Sequence, residues 1–445
     1  MVYFLLTVFW TTNWKWLVHM SLPLNNNANL NQLHELLQKA SQPDAFKSLV
    51  ALVRPRIRVG KKNLIYVLNQ VNRIGQLSSE LLHIKTLYES FYDRIIIVTG
   101  PTNDFGVNLN VFKVVGSKFI NISTEDPVIP MIGLLDAGIT QYEDIDLLIV
   151  GPWKLWSSYK KAVTAGLPLA TFQLPNSLRL KGEAWMAKAG LDPATPVVLL
   201  HARDIGYRPE LSHHGHRCVD IENYRGAINF LENQGYQVVR LGDKTNQRLK
   251  GYTQAVIDLP FHPDYELFLD IYFAATCCFA MNQSSGPSPI VRAFQKPALM
   301  VNRVFDWDYH PSTDCLMFKH YRNKTTGVEL SYESILEIGL AELSSDEEFE
   351  KVGIIIEENT PNELKQGIKE FIKLQQGKKS MDSSRQELFF KVGQVHQERI
   401  SNNPDQYKNQ TGIFGLAHQA AQISEEFLNL NPTFLPMSPV NGVRL

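Results

Sequence analysis

The sequence predicts an α/β protein of two doubly wound, Rossmann-like domains facing each other, followed by a helical C-terminal tail. Three observations predict it. A chain of 445 residues is too long for one ordinary core and suits two domains of moderate size. Short, continuous apolar runs of strand length alternate with helical patterns, as buried parallel strands do in βαβ units. The alternation also occurs twice, with a break at Pro193–Pro196.

The elements follow in order. Asn29–Val53 reads as one helix, with leucines 30, 33, 36 and 37 at helical spacing. Lys61–Leu68 is a buried strand, 69–75 a turn and Leu77–Tyr92 a helix. Arg94–Thr99 is the second strand and Asp146–Val150 another, each closed by Gly-Pro. Beyond Pro196 come strand Val197–Leu200, helix Ile221–Gln234 stopped by Gly235, and strands Gln237–Leu241 and Ala255–Asp258. Helix Tyr265–Thr276, strand Cys277–Met281, helix Ser288–Phe294 and strand Pro297–Val301 complete the second alternation. The tail holds one strand, Val352–Ile356, then turns helical and charged to about Leu430. The domains implied are an N-terminal helical segment over 1–60, α/β domains over 61–192 and 193–375, and a tail over 376–445.

Composition narrows the function classes. The chain is 44% hydrophobic and 20% charged, with a net charge of −1, so its overall field gives no reason to expect nucleic acid as a partner. Cys218, Cys277, Cys278 and Cys315 form no CxxC pair and read as free thiols of a reducing compartment. The apolar start, Met1–Phe9, is far short of the roughly 20 residues of a spanning helix and has no basic region before it. Trp10, Trp14 and Trp16 suit a membrane interface. The expectation is a cytoplasmic protein, with peripheral contact at the inner membrane left open and the oligomeric state unread.

In open parallel sheets, ligands bind outside the carboxyl ends of the strands. Three loops of the second half stand out there. After Val197–Leu200 comes His201–Ala202–Arg203–Asp204–Ile205–Gly206–Tyr207, where alternation puts His201 and Arg203 on one side. An arginine there offers a planar fork of donors suited to a diphosphate; the blander alternative is an Arg203–Asp204 surface pair beside a core histidine. Asn282–Gln283–Ser284–Ser285–Gly286–Pro287 precedes a helix whose N-terminus and serine hydroxyls suit an anion, or else form an ordinary capped turn. Arg240–Leu241–Gly242–Asp243 is the third, where Gly242 permits close approach. Together they describe a site for phosphates linked to something neutral. No GxGxxG follows a strand, which argues against a dinucleotide oxidoreductase.

These residues carry a resemblance. Leu199–Tyr207, Arg217 with Ile221–Tyr224, Gly235–Gly242, and Ser284–Pro287 running to Lys296, Pro297 and Asn302 resemble a bacterial family of glycosyltransferases associated with surface-polysaccharide genes. The likeness covers about 61–340 and includes Asn72–Leu77, where Gln76 stands in place of the family's histidine. The histidine-x-arginine element is similar to one that fucosyltransferases use on a sugar-nucleotide diphosphate. The resemblance implies a GT-B-like fold and transfer of a sugar from a nucleotide sugar to a glycan or other acceptor, without a metal or resident cofactor. Arg203, Tyr207, Arg240, Gly242, Asn282, Gln283, Ser284, Ser285 and Gly286 would then bind the donor. Asn72, Arg73 and Gly75 would line the acceptor side. His201 leads Asp104 and Glu80 as catalytic base.

Rival readings remain. Asp144–Ile145–Asp146 and Asp306–Trp307–Asp308 are DxD-like triplets of a metal-dependent transferase, although the first opens a strand and so lies at the wrong end. His213, His214 and His216 form a polar cluster that reads better as a loop than as a metal site. A nucleotide-sugar epimerase of the same architecture would turn over donor without acceptor. A non-catalytic transferase-like module would bind and do nothing more.

Overall fold

The structure, a computed structural model, describes residues 27–102, 107–142, 144–204, 206, 214–305, 309–402 and 420–436. The chain divides into two compact units, Met1–Leu180 with Pro289–Gln295, and Lys181–Ser288 with Lys296–Leu445. Each holds its own sheet.

Unit 1 opens with α1 (Asn27–Ala40) and α2 (Pro43–Val53), where the sequence suggested one helix. Pro43 has no N–H to continue α1, and it serves instead as the first residue of α2. This segment is not a separate domain. Ala45, Leu49, Val50 and Val53 share one core with Ile65, Val67, Ile96, Val98 and Leu147. Those residues come from β1 (Asn63–Leu68), β2 (Arg94–Thr99) and β5 (Ile145–Ile149). Between β1 and β2 runs α3 (Ile74–Tyr88), and β3 (Phe119–Ser123), α4 (Ile129–Ile132) and β4 (Gly138–Tyr142) follow β2. The sheet order is β3-β2-β1-β5-β4, parallel except for β4 at the edge. Helices α5 (Pro152–Thr164) and α6 (Asn176–Lys188) come next along the chain.

Unit 2 carries a sheet of seven strands, all parallel, in the order β14-β11-β10-β9-β6-β7-β8. Its inner strands are continuous apolar runs because both faces are covered. They are β6 (Val197–His201), β7 (Gln237–Leu241), β9 (Phe279–Asn282), β10 (Ala298–Arg303) and β11 (Cys315–Phe318), with the half-buried β8 (Val256–Asp258) at one edge. The linking helices are α7 (Arg225–Asn233) and α8 (Phe268–Thr276), and after β9 comes α9 (Pro287–Ala293), most of which falls in the stretch that belongs to unit 1. A ribbon of β12 (His320–Asn323) and β13 (Ile354–Glu357) stands beside the sheet, with α10 (Tyr332–Glu337) and α11 (Asp346–Lys351) between its strands. Helices α12 (Pro361–Gln375) and α13 (Ser383–Asn402) lead to β14 (Gln422–Ile423), which pairs with β11, and to α14 (Glu425–Leu430). The C-terminal tail therefore completes the sheet of unit 2.

The order of that sheet positions the site. From β6 the chain builds outward through β7 to β8, then returns to the opposite side of β6 with β9 and continues through β10 and β11. The strand order reverses between β6 and β9. In open parallel sheets such a reversal point, at the carboxyl ends of the strands, is where ligands bind.

Candidate functional site

The last paired residues of β6 and β9 are Leu200 and Met281, so His201 and Asn282 stand at one level just beyond them. Residues at one level of adjacent parallel strands project to the same face. His201 is buried, and its Nδ1 lies 3.2 Å from the Leu241 carbonyl oxygen. Burial, aided by nearby Arg240 and Arg203, pulls its pKa down to about 4. The neutral ring donates from Nδ1, and its Nε2 has no partner. A base with so low a pKa is poorly matched to proton abstraction near neutrality. Hydrogen bonding to a ligand hydroxyl suits it better.

Asn282 is wholly buried, at 0% exposure, and neither atom of its amide has a partner. It ends β9 instead of opening the following loop. Two residues past His201, the Arg203 guanidinium is nearly buried with its Nε unpartnered. Asp204 does not pair with it. The carboxylate accepts the N–H groups of Gly206 and Gln247, both at 2.7 Å. These three side chains flank the reversal point with polar atoms unmatched among the described residues, a costly arrangement unless something else binds them.

Other expected donor residues are engaged inside the protein. Gln283 Oε1 accepts the Arg203 N–H at 2.5 Å, and its Nε2 lies 3.5 Å from the Arg217 carbonyl oxygen. It stitches two loops together. Arg240 is fully buried, donating from Nη1 to the Gln247 carbonyl at 2.5 Å beside Asp258 at 3.5 Å. It holds the loop after β7 in place. A Cβ on Gly242 would meet Asn246 Oδ1 at 2.6 Å, so this glycine serves the same loop's folding.

The turn 284–286 also differs from expectation. Helix α9 has only seven residues, and Pro287 and Pro289 carry no N–H. The Ser288 N–H goes to the Ser285 carbonyl at 3.0 Å. The first three residues of α9 therefore present no free donor, and any donors here come from Ser284, Ser285 and Gly286 of the turn. The Arg217 guanidinium donates to the Ser284 carbonyl.

Sequence reading missed Lys319, which directly follows β11 and is almost wholly buried. It also missed the pair Asn302 and Asn359, which exchange backbone N–H to side-chain Oδ1 bonds of 2.6 and 2.5 Å. Asn302 adopts a left-handed φ of 49°, which asparagine tolerates. Its recurrence in the resemblance was the available signal.

In unit 1 the order reverses between β1 and β5, and Asn72 and Arg73 follow β1 there. Gly75 lies inside the first turn of α3, not in the preceding turn. Glu80 is buried with Oε2 accepting the Tyr66 hydroxyl at 2.5 Å and Oε1 accepting from the Gln76 amide. Desolvation raises its pKa to about 7 against those two bonds. Both oxygens are occupied, so it is not a free base.

Asp144 and Asp146 line an open cavity of about 580 Å³ with Lys61, Lys62, Tyr92 and Asp93, at the amino ends of their strands. The Asp146 carboxylate accepts the Tyr92 hydroxyl at 2.8 Å. His216 Nδ1 lies 2.7 Å from Asp346. Tyr207, Asp104, His213, the 306–308 triplet and the N-terminal tryptophans lie outside the described residues. All four cysteines are free. Among the described residues no helix is long and apolar enough to cross a membrane.

No family model matches the chain, and no curated protein matches it. Among solved structures it is similar to the ADP-heptose LPS heptosyltransferase II of E. coli, at 12% identity and a TM-score of 0.36, over 54% of this chain and 84% of that one. A glycosyl transferase family 9 protein from Veillonella parvula is similar at 11% identity and a TM-score of 0.36, over 65% and 96%. Likeness at this level carries no statement about activity.

Proposed function

We propose that this protein is a glycosyltransferase that moves a sugar from a nucleotide-sugar donor to a glycan acceptor, in surface-polysaccharide synthesis. One observation carries the donor half of the reading. The unpartnered polar groups of His201, Arg203 and Asn282 gather at the reversal point of unit 2's sheet, where open parallel sheets take their ligands. A cation beside neutral donors and acceptors fits a diphosphate joined to a sugar or ribose. The sequence resemblance supplies the reaction class, and with it the GT-B assignment.

In this reading the Arg203 guanidinium takes the diphosphate, and the turn at Ser284, Ser285 and Gly286 adds hydroxyl and backbone donors. Fixed cations and N–H groups stabilise the charge that develops on the departing diphosphate, which needs no metal ion. His201 and Asn282 read hydroxyls of the ribose or the sugar. Asn72, Arg73 and Gly75 of unit 1 serve the acceptor.

Thermal shift against a panel of nucleoside diphosphates and nucleotide sugars tests this, because a ligand of the native state stabilises it by mass action. The expected result is a shift with at least one nucleotide, lost or weakened at least tenfold by Arg203→Ala and partly kept by Arg203→Lys. A tenfold loss is about 1.4 kcal/mol, close to the lower end of the roughly 1.5–3 kcal/mol of a hydrogen bond to a charged group. No shift with any nucleotide overturns the reading. Donor turnover without acceptor would instead make the protein an epimerase.

A further inference from the structure

Lys319 is 2% exposed, yet its ammonium bonds the loop over the sheet's carboxyl edge and reaches no carboxylate within 4 Å among the described residues. Its Nζ donates to the Cys218 carbonyl at 2.6 Å. Cys218 belongs to a strap, 214–220, that crosses the ends of β6 and β9. The Val219 N–H donates to the Arg203 carbonyl at 3.0 Å, and Arg217 reaches the Ser284 carbonyl as described. Carboxylates hold the two ends. Asp346 accepts the N–H groups of Gly215 and His216 at 2.8 and 2.6 Å, and Glu358 accepts that of Asp220 at 3.1 Å.

We propose that Lys319 is the positioning residue of the anion site, fixing the strap through the Cys218 carbonyl and thereby the placement of Arg217 and the Arg203 backbone. Its three donors on one compact charge suit a buried carbonyl at the midpoint of the strap. Removing it leaves Cys218's carbonyl without that bond, and the middle of the strap keeps only the bonds of Arg217 and Val219 to the loops after β9 and β6.

The geometry has a pH consequence. Burial lowers the Lys319 pKa to about 8, against opposing influences from Glu358, Cys218 and Asp346. His216, also beside it, is itself held near 4 by burial and so stays neutral through this range. The Lys319 backbone N–H goes to the Arg303 carbonyl at 2.9 Å, which keeps the residue in place when the side chain titrates. Because the closed strap buries the ammonium and holds its pKa below the ordinary lysine value, an opened strap binds more protons, and closing is favoured as pH rises through about 8. An arginine at this position would stay charged and show no such gain.

Hydrogen exchange of the full-length protein tests this without any ligand, following residues 214–220 from pH 6.5 to 9.5 after correction for intrinsic exchange. In the wild type, strap protection should rise as pH passes about 8. In Lys319→Arg that rise should be absent. In Lys319→Met the strap should exchange at least tenfold faster at every pH, while β6 and β9 keep wild-type protection. Unchanged strap exchange in Lys319→Met, or wild-type protection that falls as pH passes about 8, overturns the proposal. Thermal shift with ADP and UDP supplies the second readout, and only this part rests on the donor-site reading. A tenfold weaker apparent affinity in Lys319→Met supports the inference. Normal affinity with a loosened strap overturns the link to the site. Strap behaviour as expected with no nucleotide bound by the wild type supports the strap's anchoring and removes the donor reading alone.

Discussion

Replacing Asn282 with leucine tests the site at its most unusual residue. The side chain has 0% exposure and two amide atoms without a partner. Leaving a buried donor or acceptor unmatched costs roughly 1–3 kcal/mol, whereas an apolar side chain of similar size carries no such cost. On its own face of the sheet, its neighbours Met300 at the same level and Ala280 two residues back are apolar. Asn282→Leu should therefore stabilise the ligand-free protein by about 1–3 kcal/mol and abolish or sharply weaken the nucleotide-induced thermal shift. Urea denaturation gives the first quantity, read on a transition assigned to unit 2 because two units need not unfold together. The thermal-shift panel gives the second. A leucine variant less stable than the wild type means the amide is already satisfied in the free protein, and a variant binding nucleotide as tightly as the wild type means Asn282 reads no ligand. Either result refutes the reasoning.

Two further outcomes follow from the packing. His320 is buried between Glu329 at 2.7 Å and Glu363 at 3.1 Å. Burial alone would lower its pKa, but the two carboxylates outweigh it and raise it from 6.5 to about 9. A raised pKa contributes stability that is whole below pH 6.5 and is lost as pH climbs through about 9. The full contribution is about 3 kcal/mol, so the stability difference between wild type and His320→Gln should shrink by that order from pH 6 to 9.5. A pH-independent difference in urea titrations would contradict it. In unit 1, a Cβ on Gly133 would meet the Val67 carbonyl oxygen at 2.3 Å, a backbone atom that cannot swing away. Gly133→Ala should cost about 1–3 kcal/mol in unit 1's unfolding transition, and a cost below 0.5 kcal/mol, again about the size of a neutral surface change, would show that α4 moves freely over β1.

The longer inner strands were legible because nothing but burial explains them. Arg94–Thr99 and Gln237–Leu241 appear with the bounds that the sequence suggested. The strands that went unread are those whose stability comes from a partner. β4 is a largely exposed antiparallel edge, and β14 is two residues long and exists because β11 offers it a ladder. Lys319 was invisible for a related reason. β11 is four residues between Asp314 and Lys319, too short to mark itself as a strand, so nothing announced that a lysine followed one. The break between α1 and α2 was written plainly in Pro43, but the helical pattern set by leucines 30, 33, 36 and 37 was extended past it.

Residue type told which side chains could bind an anion, but only geometry tells which are already engaged. Gln283 and Arg240 had the right chemistry at the right strand ends, and both proved to bind the chain itself. That consumption is informative about their neighbours. Gln283 holds the backbone of Arg203 and Arg240 anchors the loop beside it, so the arginine side chain at 203 extends from a main chain fixed on both sides. Preorganisation of this kind matters more to an anion site than the number of cations in reach, because a fixed donor pays no reorganisation when charge develops. It also accounts for the mixture seen at the reversal point. Groups with partners build the frame, and the unmatched atoms of His201, Arg203 and Asn282 are what the frame presents. A fold selected for stability alone has no reason to strand three polar side chains at the ends of two neighbouring strands, and the gain expected from Asn282→Leu measures how much stability this one gives up to keep them.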